Sequence, residues 1–109
     1  MITELADREC VEAGAKAKRL KPVEIKAFKK LLGGSWKLIK GKMLEQSYKF
    51  DDFRGALAFT IQVGNLAENE GHHPDILLTY GMVRIQLSTH SAKGLTENDF
   101  ILAAKIERL

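Results

Sequence analysis

"GHHPDILLTYGMVRIQLSTH", residues 71–90, is the stretch on which the fold turns. Two runs rich in strand-forming residues, DILLTY and MVRIQLSTH, flank Gly81 and read as a hairpin. The second run alternates: Val83, Ile85, Leu87 and Thr89 fall on one side, Met82, Arg84, Gln86 and Ser88 on the other. Such a strand has one face to bury and one to leave open. Ahead of the hairpin, Gly71 suits the end of a helix, and Pro74 fixes its own backbone angle and holds His73 extended. The same stretch carries all three histidines of the chain, His72, His73 and His90.

Upstream, Asp51 or Asp52 can cap a long helix in which Phe53, Ala56, Leu57, Thr60, Ile61 and Ala67 recur at helical spacing up to Gly71. Before it, WKLIK and MLEQSYKF flank a Gly41-Lys42 turn and form another hairpin. Earlier still, PVEIKAFKKLL places Val23, Ile25, Phe28, Leu31 and Leu32 along one helical stripe, with Pro22 at its start and Gly33 and Gly34 at its end. Downstream, Thr96 and Asp99 resemble a capping box, and Leu102, Ile106 and Leu109 mark a third amphipathic helix. The expected class is α+β, order α-β-β-α-β-β-α. Short turns within both strand pairs predict a four-stranded antiparallel sheet, with the three helices on its apolar face. The opposite face would be free for a ligand or a partner chain. Residues 1–20 read as an N-terminal extension of uncertain order, and residues 21–109 as the domain.

With 109 residues, 45% of them apolar, the chain fits one small domain. No run approaches the roughly 18–20 consecutive apolar residues that cross a bilayer, and MITELADREC carries acids where a secretory signal would carry bases. No membrane association and a cytoplasmic location are expected. The single cysteine, Cys10, cannot form an internal disulfide and points weakly to a reducing compartment. The net charge of +3 is uneven: residues 14–49 hold eleven Lys or Arg against Glu24 and Glu45, whereas residues 50–109 hold five bases against eight acids. The basic block could attract nucleic acid or a small anion. Its lysines are scattered with few aromatics between them, which favours a solvated surface over nucleic-acid binding.

If the strands of the second hairpin pair so that residues 74–80 match 82–88 around Gly81, His72 and His73 arrive beside His90. Three imidazoles at one sheet edge admit three readings. They could bind zinc through three ligands with a fourth position open, although neighbouring side chains in an extended segment diverge and the spacing lacks a pattern such as H-E-x-x-H. They could be incidental. Or they could carry acid–base chemistry, for which an imidazole is suited because it donates and accepts protons near neutral pH.

Glu68, His72, His73, Pro74, Tyr80, Ser88, Thr89, His90, Gly94, Leu95, Thr96 and Asp99, in that order and spacing, closely resemble the signature of the pterin-4a-carbinolamine dehydratases. Trp36, Phe50, Asp52 and Phe53 also look like family positions, so the resemblance covers roughly residues 22–109. The family's fold, a four-stranded antiparallel sheet with three helices on one face, agrees with the element order read from the residues. Ile76 stands where many relatives carry an aromatic, and Gly81 and Met82 where many carry a polar pair. Those departures touch the pocket wall and the oligomer surface, not the histidines.

The resemblance implies dehydration of a 4a-hydroxytetrahydropterin to the quinonoid dihydropterin, the step that recycles tetrahydrobiopterin after an aromatic amino acid hydroxylase, with no metal and no cofactor. By position, His72 and His90 look like the proton-transfer pair, and His73 like the residue that places the pterin and stabilises charge. Asp99 is implied to orient an imidazole or to cap a helix, and Glu68 to support His72 from one helical turn back. Ser88 and Thr89 are implied to bond the pterin edge, with Pro74 in the motif itself, and Trp36 to wall the pocket or fill the core. The pterin is thus the expected small-molecule partner, and self-association as a dimer or tetramer is expected because an open sheet leaves edge strands and relatives associate. The resemblance leaves two other readings open. Animal relatives also act as dimerisation cofactors for a homeodomain transcription factor and others have assembly or regulatory roles, and another pterin, such as one related to the molybdenum cofactor, could be the substrate.

Overall fold

A computed structural model describes residues 5–11 and 17–109 of the chain. The elements are α1 (Pro22–Leu32), β1 (Lys37–Ile39), β2 (Met43–Lys49), α2 (Phe53–Glu70), β3 (Asp75–Thr79), β4 (Met82–Leu87) and α3 (Glu97–Glu107), with a 3-10 turn over His90–Ala92. The expected α+β architecture is present. All strand pairs are antiparallel, in the spatial order β1-β2-β4-β3, so the two hairpins join through β2 and β4. The strand with the clean alternation is therefore central. Val83, Ile85 and Leu87 are fully buried against the helices, and their β2 neighbours Leu44 and Tyr48 share that face. No helix among the described residues is long and apolar enough to cross a membrane.

Each hairpin turns one residue away from its expected place. In the first, Lys40 (φ 52°) and Gly41 (φ 70°) both adopt left-handed backbone and Lys42 N donates to Ile39 O at 3.0 Å, so the turn is centred on Lys40-Gly41, not Gly41-Lys42. Two consecutive positive φ values are what a tight turn needs to match the strands' twist. In the second, Thr79 pairs with Met82 and Asp75 with Gln86, which puts the turn at Tyr80-Gly81. Continuing that register outward brings His73 and His72 level with Ser88 and Thr89.

The helices depart more from the reading of their stripes. In α2 the buried side consists of Ala56, Val63 and Ala67, flanked by Phe59 and Leu66, whereas Phe53, Leu57 and Ile61 are exposed. The helix is apolar on two sides, and helical spacing alone does not say which one meets the sheet. In α3 every residue from Asn98 to Ala104 is buried and Leu109 is exposed, so this helix has no solvated stripe in its first two turns. In α1 the expected stripe holds at Ile25 and Leu32 and fails at the exposed Val23.

The outer side of α3 is covered by the leading segment. Leu5 and Ala6 belong to the core, Lys105 Nζ donates to Ala6 O at 2.9 Å, and Asn98 exchanges bonds of 2.9 and 2.7 Å with the backbone of Val11. Residues 5–11 thus pack on the domain. Cys10 is part of this cover: its N donates to Glu70 Oε1 at 3.0 Å, and burial, reinforced by the Glu70 carboxylate, pushes its thiol up to about 12. Since the thiolate is the nucleophile, Cys10 should react with iodoacetamide at pH 8 on the order of 10²–10³-fold more slowly in the folded chain than in urea, with mass spectrometry as the readout. Equal rates would show that the segment does not dock.

β2 is tied to the end of α3, where the Tyr48 hydroxyl donates to Glu107 Oε2. Burial first, and then this bond to the Glu107 carboxylate, push the Tyr48 phenol well above its ordinary value. The folded pKa exceeds the unfolded one, so the contribution is intact below the unfolded value near pH 10 and is lost as pH rises above it. Alkaline denaturation curves should accordingly be flatter above about pH 10 for Tyr48→Phe than for the parent chain; identical slopes would remove Tyr48 as the cause.

Candidate active site

The chemistry-bearing residues meet at one end of the β3–β4 hairpin. α2 ends when Gly71 turns left-handed (φ 68°), and its N–H bonds the carbonyls of Ala67 and Glu68. His72 N then donates to Ala67 O at 3.2 Å, which turns His72 inward as the chain enters β3. On the other side, β4 runs out into Ser88, Thr89 and the His90–Ala92 turn, which is closed by Thr89 N donating to Gly94 O at 2.8 Å. Between the two lies an open concavity of about 230 Å³, lined by Gly71, His72, His73, Ser88, Thr89, His90 and Ser91. The three histidines share this cleft although His72 and His90 are 18 positions apart.

The two adjacent histidines have opposite environments, as expected of neighbours in an extended segment. His72 is 6% exposed, and its Nε2 lies 2.6 Å from Oδ1 of the wholly buried Asp99. His73 is solvent-exposed and its Nε2 lies 2.7 Å from Oε1 of Glu68, which is more exposed still. Glu68 therefore contacts His73 and not His72, which departs from the support for His72 that the resemblance implied. The carboxylate that serves His72 comes from α3.

Asp99 touches both His72 and the first turn of α3. Its Oδ2 accepts from Thr96 N at 2.9 Å, which caps α3, and from Thr89 Oγ1 at 2.8 Å, while Oδ1 faces His72. The Thr96 hydroxyl completes the cluster, 2.8 Å from Thr89 Oγ1. Donor counting orders the cluster: Thr89 spends its proton on Asp99, so Thr96 donates to Thr89, and a carboxylate at Asp99 takes its third bond from a His72 tautomer with the proton on Nε2. In the neutral ring that leaves the lone pair on Nδ1. Trp36 Nε1 is the one buried side-chain nitrogen or oxygen without a partner among the described residues, so His72 Nδ1, which makes no bond of its own, keeps contact with solvent.

The remaining candidates separate cleanly. Ser88, on the open side of β4, and the exposed His90 line the cleft, and neither side chain has a partner among the described residues. The Thr89 hydroxyl is committed to Asp99 and Thr96 and is buried, so it supports the cleft from below. Pro74 lies between His73 and β3 and is not a lining residue. Trp36 is 2% exposed in the core, away from the lining set, so the structure does not bring it to the histidines. Thr96 and Ser91 were not singled out as site residues; the capping box was the available signal for Thr96, and Ser91 left none. Among the described residues, no three His, Cys, Asp or Glu side chains converge as metal ligands would.

Residues 18–109 match the family model described as pterin 4 alpha carbinolamine dehydratase. The chain belongs to that family. It is 42% identical over 107 residues to a protein of Alkaliphilus metalliredigens provisionally named pterin-4-alpha-carbinolamine dehydratase, covering 98% of this chain and 96% of that one. A protein of Rubrobacter xylanophilus with the same provisional name is 42% identical over 108 residues, covering 99% and 100% respectively. Among solved structures, the transcriptional coactivator/pterin dehydratase of Brucella melitensis superposes with a TM-score of 0.76 at 35% identity, over 84% of this chain and 97% of that one. A pterin dehydratase-like protein identified as a RuBisCO assembly factor in the alpha-carboxysome superposes with a TM-score of 0.58 at 25% identity, over 71% and 90%. The pterin dehydratase fold, with its four-stranded antiparallel sheet and three helices, is thus the fold of this chain.

Proposed function

We propose that this member of the pterin dehydratase family removes water from a 4a-hydroxytetrahydropterin, such as 4a-hydroxytetrahydrobiopterin, to give the quinonoid dihydropterin, as the recycling step of a tetrahydropterin cofactor. The observation that carries the reading is the shared cleft of His72, His73 and His90, with His72 held by the buried Asp99. Hydroxide leaves poorly, so the C4a oxygen must gain a proton while N5 loses one. Two imidazoles on opposite walls of a cleft can do both, each contributing on the order of 10²–10⁴-fold. In this reading His72 and His90 exchange the protons, with Nδ1 of His72 as the acting atom because Asp99 occupies Nε2. His73, backed by Glu68, positions the pterin and stabilises charge, and Ser88 bonds its polar edge. Metal and cofactor take no part. The proposed setting is the cytoplasm.

Stopped-flow absorbance of freshly generated 4a-hydroxytetrahydropterin tests the reaction, with the buffer rate as reference. A chain no faster than buffer is not a dehydratase of that substrate, and loss of activity after chelation would replace the metal-free mechanism.

We also propose self-association, as a dimer or tetramer. Its support is the apolar row of Phe53, Leu57 and Ile61 left exposed on α2, together with the sheet edges at β1 and β3. Ile61→Glu should shift the species seen by light scattering to a smaller one while leaving far-UV circular dichroism unchanged. An unchanged mass would exclude this row from the interface. The same exposed row, and the coactivator and assembly functions in the names of the two solved relatives, support a second reading in which the chain acts as an interaction protein. Wild-type turnover at the buffer rate is the result that would favour it.

A further inference from the structure

Arg19, Lys40 and Lys42 of the basic block take no part in the histidine cleft, and the fold brings them to one place. A cavity of about 290 Å³ lies between the start of α1, the β1–β2 turn and the loop that follows His90. Arg19, Lys40, Lys42 and Lys93 line it, and no carboxylate does. None of these four side chains has an ion pair or hydrogen bond among the described residues. Four like charges from three separate segments thus face one cavity, where a bound anion would neutralise them.

Two further observations mark the cavity as built rather than incidental. Lys40 (φ 52°) and Lys93 (φ 58°) are the only non-glycine residues with positive φ among those described, and both line it. Left-handed backbone comes easily to glycine and not to lysine. What lysine adds at these two turn positions is its charge, and strain retained in this way clusters at functional sites. In addition, the backbone beside Arg19 is tied to the loop after His90 by Leu20 N donating to Leu95 O at 2.8 Å, and the arginine stem passes close over Gly94, where a Cβ would sit 2.9 Å from Arg19 Cδ and 3.2 Å from Cγ.

We infer that this cavity is a binding site for a small phosphate-bearing anion of about the size of pyrophosphate. Phosphate oxygens accept charge-assisted bonds from Arg and Lys together. No aromatic side chain lines the cavity for a base to stack on, and its volume lies just below the roughly 300–1,000 Å³ of ordinary ligand sites. A compact anion fits these features and a nucleic-acid strand does not. The site is separate from the histidine cleft and does not depend on the dehydratase reading.

Calorimetric titration with inorganic pyrophosphate, at a fixed ionic strength of about 0.15 M, tests it in three forms of the full chain. Lys40→Gly/Lys93→Gly removes two cations and puts at both positions the residue that tolerates positive φ, so folding is preserved. Lys26→Gln/Lys30→Gln removes the same charge from the exposed side of α1. Wild type and the Lys26/Lys30 variant should bind saturably with similar Kd, and the Lys40/Lys93 variant should bind about tenfold more weakly or not at all. Absence of saturable binding in wild type overturns the site. Equal weakening in both double variants overturns it as well, because it would reveal diffuse attraction to a basic surface, as would a single-stranded oligonucleotide that binds more tightly than pyrophosphate and is indifferent to which lysine pair is removed.

Discussion

Asp99→Ala is expected to destabilise the fold by about 3–5 kcal/mol, because it leaves three buried donors without their acceptor at roughly 1–3 kcal/mol each. The carboxylate lies at zero exposure and simultaneously engages His72, Thr89 and the N-terminus of α3. Its removal strands the His72 ring nitrogen, the Thr89 hydroxyl and Thr96 N without water to replace the lost acceptor. For a domain of this size the melting temperature should fall by more than about 10 °C. Asp99→Asn keeps the shape and one acceptor oxygen and should lose less. Urea denaturation read by Trp36 fluorescence and by circular dichroism checks both; a change below about 1 kcal/mol for Asp99→Ala, the level of an exposed pair, would mean that the cluster is not closed in solution.

His90→Ala gives the contrasting result, loss of turnover without loss of stability. Its side chain is exposed at the rim of the cleft and has no partner among the described residues, so its removal should leave the unfolding midpoint nearly unchanged. On the proposed mechanism the stopped-flow dehydration rate should nevertheless drop by roughly 10²–10⁴-fold. His72→Ala should lower both quantities, because it also strands Asp99. The pair of variants separates chemistry from architecture. A His90→Ala enzyme as fast as wild type would remove His90 from the proton pathway, and the dehydratase reading would then rest on His72 and His73 alone.

Helix limits, strand pairs and the alternation of β4 follow from local rules that act within a few residues, such as Pro74 ahead of β3, Gly71 after α2 and the period of two in residues 82–89. These were legible in the chain itself, and so was the grouping of the three histidines, because a tight turn necessarily places the ends of its two strands side by side. Three things were decided only by tertiary packing. One is the face of α2 that is buried, since Phe53, Leu57 and Ile61 have the same periodicity as the row that meets the sheet. Another is the burial of α3 on all sides, which required Leu5 and Ala6 to return across its outer surface. The third is the pairing of carboxylates with imidazoles. The resemblance implied Glu68 as support for His72, but an extended backbone turns adjacent side chains apart, so His73 took the nearby glutamate and His72 met Asp99 across 27 positions. Local spacing determines which side chains share an element, whereas which groups touch depends on how elements pack to bury their apolar surface, and that is a property of the whole chain.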